Sequence, residues 1–450
     1  SRLKGEVAFT ETDLKAEEVR ALLRGEPVRI DLNLAGGEGQ RELRGQLRGR
    51  IGLRTLTGAP AALDTYLEGK SLWQAVLAVP IGRHDRQNEV SPFTLTLNSD
   101  LRGAAVRLPE PFGKDADQVR PFALTVRPRG RDTLELDLEY DANVRAMLAL
   151  DGYPQQLRLD RGELRINAGV AQLPEVPGLF IVADLPRWRL DWPSATPNST
   201  NSTAAGDERK TAAWWGLLQG IDAQIGELTI GDHAVTRLKM GATRRNGGLQ
   251  VELESNELAG RLTLPDQPTP TQPINAALQR LSWRRELEKD AIARPSVASD
   301  PRHLPPLVLT ASEFRLDDKA LGRLRVVVMP MEGGVRLSEM DLNSEWQHFT
   351  ASGEWHWTLG GQLAQLRATL WSQTLGETLA AFGYRDTGIT GGETEAKLHA
   401  EWAGESPAFT LERMDGSLKF HISSGQLLNI DPGLGRVVGL FSLQNIMRRL

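Results

Sequence analysis

The sequence of 450 residues contains no cysteine, which excludes disulfide bonds, thiolate metal sites and cysteine nucleophiles. Aromatic residues are only 6% of the chain, and no run approaches the roughly 20 apolar residues that a membrane-spanning helix needs. Charge is nearly balanced, with 53 basic and 58 acidic residues, and no basic cluster is long enough to follow a phosphate backbone. These absences exclude a membrane-embedded chain and argue against nucleic acid as a partner.

Motifs for catalysis are also missing, since there is no G-x-S-x-G, no P-loop and no G-x-G-x-x-G. Asp115 and Asp117 fall in a predicted turn, where aspartate is favoured because its side chain bonds to the backbone. Four histidines lack metal-ligand spacing and are interpreted as exposed strand residues: His348, His356, His399 and His421. The sequence therefore predicts a protein that is not an enzyme and holds no cofactor or metal.

Strict alternation of apolar and polar residues is what the chain has in abundance. This pattern is typical of a strand with one dry and one wet face, and it favours antiparallel pairing because buried parallel strands read as unbroken apolar runs. It occurs in six stretches: 28–34, 93–97, 134–140, 249–253, 396–402 and 418–422. Paired glycines such as Gly247-Gly248 and Gly333-Gly334 predict hairpin turns between strands. Short helices are expected at 13–24, 61–77, 210–219 and 375–382.

An internal repeat spaces equivalent residues by 86 positions. Residues 227, 228, 230, 232, 238, 247 and 248 recur as 313, 314, 316, 318, 324, 333 and 334. Two polar stretches are interpreted as loops. We therefore predict an amino-terminal part of the sheet at 1–192 with one or two short helices, a flexible loop at 193–207, repeat unit one at 208–285, a polar loop at 286–306, and repeat unit two with a Gly-rich motif at 307–450.

Many alternating strands and few helices leave an apolar face that needs a cover. The sheet can pack on a second sheet as a sandwich, or curl into a trough filled by hydrocarbon, where each buried methylene contributes about 0.8 kcal/mol. Several tryptophans lie in or beside these strands, and either pack within the sheet or face an apolar ligand. They are Trp188, Trp192, Trp346, Trp355, Trp357 and Trp402. Periodicity alone does not decide between the two covers.

Specific motifs resemble the YhdP family of AsmA-like envelope proteins. One is Ser99-Asp100-Leu101-Arg102-Gly103 followed by Leu108-Pro109-Glu110-Pro111-Phe112-Gly113-Lys114. A second runs from Gly425 through Asp431-Pro432-Gly433 to Arg448-Arg449-Leu450, with Asp431 where the family commonly has glutamate. The matching motifs span from about Leu97 to the last residue. Because the family's amino-terminal membrane helix is not among these residues, the chain is interpreted as a middle segment of a longer protein.

The resemblance implies an elongated, curled antiparallel sheet, a taco-like β-groove built from repeated hairpin units. It also implies non-enzymatic transport of phospholipids or other acyl-chain lipids across the periplasm of a Gram-negative bacterium, between the inner and outer membranes. Expected partners are these lipids, the inner membrane through an anchor outside the segment, and outer-membrane or envelope proteins, with no nucleic acid. The alternative is a structural or binding scaffold of the cell envelope made of closed β-sandwich modules.

Candidate groove residues come from the repeat and the alternating strands. They are Leu228, Ile230, Leu249, Val251, Leu253, Phe314, Leu316, Leu324, Val326 and Val328. The groove interpretation predicts that these side chains line the concave face and contact acyl chains, while headgroups stay at the open edge.

Overall fold

The computed structural model describes residues 3–10, 13–35, 41–53, 55, 66–81, 93–108, 110–190, 216–230, 233–284, 301–317, 319–358, 361–381, 389–403 and 414–427. Strands account for most of these residues. A short α-helix, α1, spans Leu375–Ala381, and a 3-10 helix, η1, spans Pro301–His303. The predicted mainly β fold with few helices is confirmed. The chain divides into two compact units: Ser1–Arg189 with Ser202–Glu227 and Gly241–Arg244, and Leu190–Asn201 with Leu228–Met240 and Arg245–Leu450.

The first unit contains strands β1 to β13. These are Leu3–Lys4, Val7–Phe9, Leu14–Leu23, Glu26–Ala35, Arg41–Gly52, Leu67–Ile81, Thr94–Ser99, Ala104–Val106, Phe122–Pro128, Thr133–Tyr140, Val144–Asp151, Arg158–Ile166 and Gly178–Leu190. Both β1 and β2 pair with β3, and β8 pairs with the start of β6. The main sheet then runs β3, β4, β5, β6, β7, β9, β10, β11, β12, β13.

The second unit contains strands β16 to β25, while β14 (Leu218–Ile230) and β15 (His233–Arg245) contribute residues to both units. Strands β16 to β25 are Gly248–Glu254, Leu258–Pro265, Ile274–Trp283, Leu307–Leu316, Lys319–Met331, Gly334–Asn343, Gln347–Thr358, Gly361–Ser372, Ile389–Ala403 and Met414–Leu427. They pair in chain order. Among the described pairings β25 meets β24 alone, so the sheet of this unit is open at that edge.

Two strand pairs correct the expectation of purely antiparallel pairing. Strand β12 pairs in parallel with β13, and β18 pairs in parallel with β19. The expectation assumed that parallel strands are buried on both faces. Strand β12 nevertheless alternates, since Arg161, Glu163 and Arg165 separate Gly162, Leu164 and Ile166. Its partner β13 has the unbroken apolar run Leu179 to Ala183 that is expected of parallel strands. The sheet is therefore mixed, although hairpins form most of it.

The 86-residue repeat is present in the strands themselves. Strand β15 shifted by 86 positions coincides with β20, and the end of β14 and the start of β16 coincide with the end of β19 and the start of β21. The turn glycines Gly247 and Gly333 have φ of 75° and 76°, a left-handed conformation that glycine adopts without strain. Leu238 and Leu324 are both buried. Equal spacing of residues therefore reflects equal strand lengths and turns.

Of the four predicted helices, one is confirmed as α1. The prediction at 13–24 is wrong, because Leu14–Leu23 is a strand that forms a hairpin with β4 through Arg24 and Gly25, both with positive φ. A bulge between Ala16 and Val19 shifts the alternation and imitates helical spacing. Strand β6 replaces most of the helix expected at 61–77. The helix expected at 210–219 lies largely outside the described residues, as do the predicted loop at 193–207 and most of that at 286–306.

Candidate functional site

The pairing registers of the first unit align apolar residues into continuous rows across the sheet. Residues paired across neighbouring strands share a face, so a row is read directly from the register. One row crosses ten strands without a polar residue: Val19, Ile30, Leu47, Ala75, Leu97, Leu124, Leu138, Ala146, Leu164 and Ile181. The next row on this face is Ala16, Leu32, Gly45, Leu77, Leu95, Val126, Leu136, Leu148, Gly162 and Leu179.

The second unit has equivalent rows across β16 to β25. The first is Val251, Leu262, Ala276, Leu309, Val326, Met340, Ala351, Ala368, Leu398 and Leu418. The second is Leu253, Gly260, Leu278, Ala311, Leu324, Leu342, Phe349, Leu370, Ala396 and Phe420. We call the side of each unit that carries these rows its apolar face.

The opposite face of each unit is polar. In the first unit Arg29, Arg48 and Gln74 are aligned directly across β4, β5 and β6. In the second unit a row of Arg325, Asp341, Thr350, Thr369, Lys397 and Lys419 crosses β20 to β25. Two open depressions of about 400 and 260 Å³ lie on this polar side, lined by residues such as Gln74, Asn98 and Arg367. The two faces therefore differ in chemistry, although single apolar residues such as Met147, Phe180 and Trp371 also lie on the polar face.

Burial along the apolar faces is incomplete. Leu77 is 41% exposed although β6 is flanked by paired strands on both sides, and most of the aligned aliphatic side chains are only half-buried. Exposure is also high at β25, where Leu418, Phe420 and Ile422 are 39–43% exposed. A second sheet packed on this face would bury such side chains almost completely. The apolar faces therefore offer surface that no described element covers.

Each unit has a small core at one end of its strands. In the first unit Val28, Ile51, Trp73 and Ala104 are buried together, and the Trp73 and Phe122 rings meet edge to face with centroids 5.4 Å apart. Lys114 closes this end, since its buried Nζ donates hydrogen bonds to the carbonyl oxygens of Leu101 (2.9 Å), Ala104 (2.5 Å) and Asp115 (2.8 Å). Desolvation, followed by the nearby charge of Arg120, lowers the pKa of Lys114.

In the second unit the core at the strand ends includes Leu278, Leu321, Leu342 and Ala381, so α1 covers this end. The helix is fixed by Thr378, whose hydroxyl lies 2.6 Å from that of Ser372, both buried. One end of each apolar face is thus closed by a core of buried side chains. Most of the face between the strand ends has no such cover among the described residues.

The predicted groove residues divide between these environments. Register places six of them on the apolar face of the second unit: Leu249, Val251, Leu253, Leu324, Val326 and Val328. Of these, Leu249, Val251 and Leu324 are buried, whereas Leu253, Val326 and Val328 are half-buried. Phe314 and Leu316 pack against the core that contains Ala381. Leu228 is buried and Ile230 half-buried at the end of β14.

The ten predicted groove residues all lie in β14 to β20, so they include no row residue of the first unit and none of Ala276, Met340, Ala351, Ala368 and Leu398 in the second. Alternation marked several of their strands, but only the register shows which of them share a row. The predicted turn at Asp115 and Asp117 is confirmed. His348 pairs with Asp341 across 2.8 Å on the polar face. No group of three or more His, Asp or Glu side chains among the described residues is placed to hold a metal ion.

A family model described as YhdP protein matches residues 1–450. No curated protein and no solved structure matches the chain. No helix within the described part of the chain is long and apolar enough to cross a membrane.

Proposed function

Because the chain belongs to the YhdP family, whose AsmA-like character suggests a role in lipid transport, we propose that it carries phospholipids along the apolar faces of its two units. The acyl chains lie on the aligned rows, and the headgroups stay in water at the strand ends. The setting is the periplasm of a Gram-negative bacterium, between the inner and outer membranes. An inner-membrane anchor and envelope partners complete this proposal.

The observation that carries the proposal is the half-buried state of aliphatic side chains in the middle of a wide sheet. Leu77 and Leu95 are paired neighbours on central strands, and both keep exposed surface. Exposed apolar area costs about 25 cal/mol per Å², so a face of this width needs a cover. Hydrocarbon is a suitable cover because it needs no hydrogen bonds and no fixed register.

The rows also offer a path along which a lipid can move across the sheet. A row of ten strands at about 4.8 Å spacing is about 43 Å along its contour, and it contains apolar residues and glycine only. An acyl chain that shifts from one strand to the next exchanges one aliphatic contact for another and meets no polar barrier. Such a surface binds lipids without the fixed geometry of an enzyme pocket.

Lipid extraction tests this function directly. The purified chain is denatured in organic solvent and the extract is analysed by mass spectrometry, with the variant Leu77→Asp processed in parallel as the matched control. We expect phospholipid with the native chain and a clear reduction with the variant. A native chain that is free of lipid, and whose thermal melt is unchanged by added phospholipid, would support the closed-sandwich scaffold instead.

A further inference from the structure

Three arginines stand directly opposite one another on the polar face of the first unit. Arg20 of β3 pairs in register with Arg29 of β4, and Arg29 pairs with Arg48 of β5. Arg50 follows two residues after Arg48 in β5 and so shares its face. All four side chains are exposed. We call Arg20, Arg29, Arg48 and Arg50 the arginine ladder.

The charge of the arginine ladder is not neutralised within the described part of the chain, where none of its four side chains makes a hydrogen bond or an ion pair. Three carboxylates of the same strands pair with other cations: Glu17 with Lys15, Glu26 with Lys70 and Glu42 with Arg44. Asp31, on the face of the ladder, accepts a hydrogen bond from the backbone nitrogen of Glu18 at 2.8 Å. Like charges directly opposite each other destabilise a sheet, so the ladder is suited to negative charge that a partner supplies.

Exposed apolar side chains adjoin the ladder on the same face. Leu22 lies two residues after Arg20 in β3 and is 42% exposed. Leu72 of β6 pairs in register with Arg50 and is 50% exposed. Pro27, which pairs with Leu22, is also exposed. The strands that carry these residues are fixed from behind, because the buried core of the first unit packs against their opposite side.

Guanidinium groups beside exposed aliphatic side chains match the surface of an anionic bilayer. Phosphate oxygens accept paired hydrogen bonds from arginine, and aliphatic side chains of an interfacial site enter the boundary between headgroups and acyl chains. Arginine is long enough to reach the phosphates while its methylene groups lie along apolar surface. An acidic protein would neutralise the guanidinium groups but would place Leu22 and Leu72 beside charged groups, so the bilayer is the better fit.

We propose that the arginine ladder, with Leu22 and Leu72, docks the first unit on a membrane surface that contains anionic phospholipids. The guanidinium groups bind lipid phosphates, and the two leucines enter the headgroup boundary. The apolar rows lie on the other side of the sheet, so docking does not occupy them. Docking goes beyond lipid carriage and is separable from it, because zwitterionic vesicles offer lipid to the apolar faces without a surface charge for the ladder.

Sedimentation with vesicles tests the docking surface. The full chain is mixed with vesicles of phosphatidylcholine alone, or of phosphatidylcholine and phosphatidylglycerol in equal amounts. We expect binding to the mixed vesicles, little binding to the neutral ones, and loss of binding at about 1 M salt, where the Debye length falls to about 3 Å. A basic residue at an anionic surface contributes about fivefold in affinity, so Arg29→Gln with Arg48→Gln should bind about twenty- to thirtyfold more weakly.

The matched control is Arg127→Gln with Arg367→Gln, which removes the same charge from exposed positions of the polar faces outside the ladder. This variant should bind the mixed vesicles as the native chain does. Equal weakening in both double variants, or native binding by the ladder variant, overturns the proposal. Retention on polyglutamate without vesicle binding also overturns it and assigns the ladder to an acidic protein. Phospholipid in the organic extract of a chain that fails to dock would leave lipid carriage standing.

A single fluorescent label measures whether the leucines enter the bilayer. The chain contains no cysteine, so Leu72→Cys provides one labelling site for an environment-sensitive dye. Its emission should rise and shift to the blue with mixed vesicles, because the dye leaves water. The control is Thr94→Cys on the polar face of β7, where Thr94 pairs with Ala78 near the opposite end of β6. Emission that stays unchanged at Leu72, or that rises equally at Thr94, contradicts the proposed orientation.

Discussion

A charged residue at Leu77 separates an open apolar face from a closed core. Leu77 is 41% exposed, so about three-fifths of its side chain is buried. Full burial of a leucine contributes roughly 1.5–3 kcal/mol, so Leu77→Asp should cost about 1–2 kcal/mol. For a unit of this size that corresponds to a fall in Tm of about 2–8 °C. The variant should therefore fold.

Two further variants bracket this result. Ile51 is 1% exposed in the core of the first unit, and Ile51→Asp should cost about 5 kcal/mol or more, because it removes the whole transfer term and buries an unpaired charge. Gln74 lies on the same strand as Leu77, exposed on the polar face, and Gln74→Asp should change the stability little.

The effects of these variants on lipid capture should not follow their effects on stability. A carboxylate against hydrocarbon costs about 3 kcal/mol, so Leu77→Asp should weaken capture at the first unit about a hundredfold, while Gln74→Asp should capture lipid as the native chain does. Urea unfolding and vesicle capture on the same preparations measure both effects. If Leu77→Asp unfolds as Ile51→Asp does, the face is a closed core; if Leu77→Asp folds and captures lipid normally, lipids do not lie on this row.

Two other substitutions test the packing that shapes the face. Lys114→Met should lower the free energy of unfolding by about 2–4 kcal/mol, because it removes the Nζ donor from the carbonyl groups of Leu101, Ala104 and Asp115, and the first two of these hydrogen bonds are buried. Because the pKa of Lys114 is lowered in the folded state, the unfolded chain binds more protons than the folded chain as the pH approaches 10.5. The contribution of Lys114 to the free energy of unfolding should therefore rise as the pH increases toward 10.5, and Lys114→Met should lack this rise in paired urea melts. Gly322→Ala should destabilise the second unit by about 3 kcal/mol, since φ is 100° and a Cβ would lie 2.1 Å from the Asn343 carbonyl oxygen. Gly130 has a φ of 87° but open space around its Cα, so Gly130→Ala should cost only about 1 kcal/mol. An equal loss in both glycine variants would contradict the close approach.

The sequence predicted the β class, the two-faced strands and the repeat because each depends on local order. Alternation along Leu249, Val251 and Leu253 gives the apolar side of β16 without any knowledge of its neighbours. The 86-residue spacing holds because β15 and β20 have equal length. Glycine at positions 247 and 333 fixes the turn that follows each of these two strands.

The rest depended on information that alternation does not contain. The bulge between Ala16 and Val19 made a strand look helical, since one inserted residue changes the apparent period. The parallel pair of β18 and β19 depends on a long connection, which leaves no periodic signal. Val251 is 5% exposed and Val326 is half-buried, although both lie in the same row and in alternating strands. Alternation therefore does not predict how deeply a side chain is buried.

Site-specific photocrosslinking tests the central claim most directly. A photoreactive residue is placed at Val326 or Leu398, on one apolar row, and at their chain neighbours Arg325 or Lys397, on the polar face. Illumination in cells followed by mass spectrometry identifies the adducts. We predict phospholipid adducts at Val326 and Leu398 and none at Arg325 and Lys397. Adducts at the polar positions alone, or protein adducts in place of lipid at both apolar positions, would contradict a lipid-carrying face.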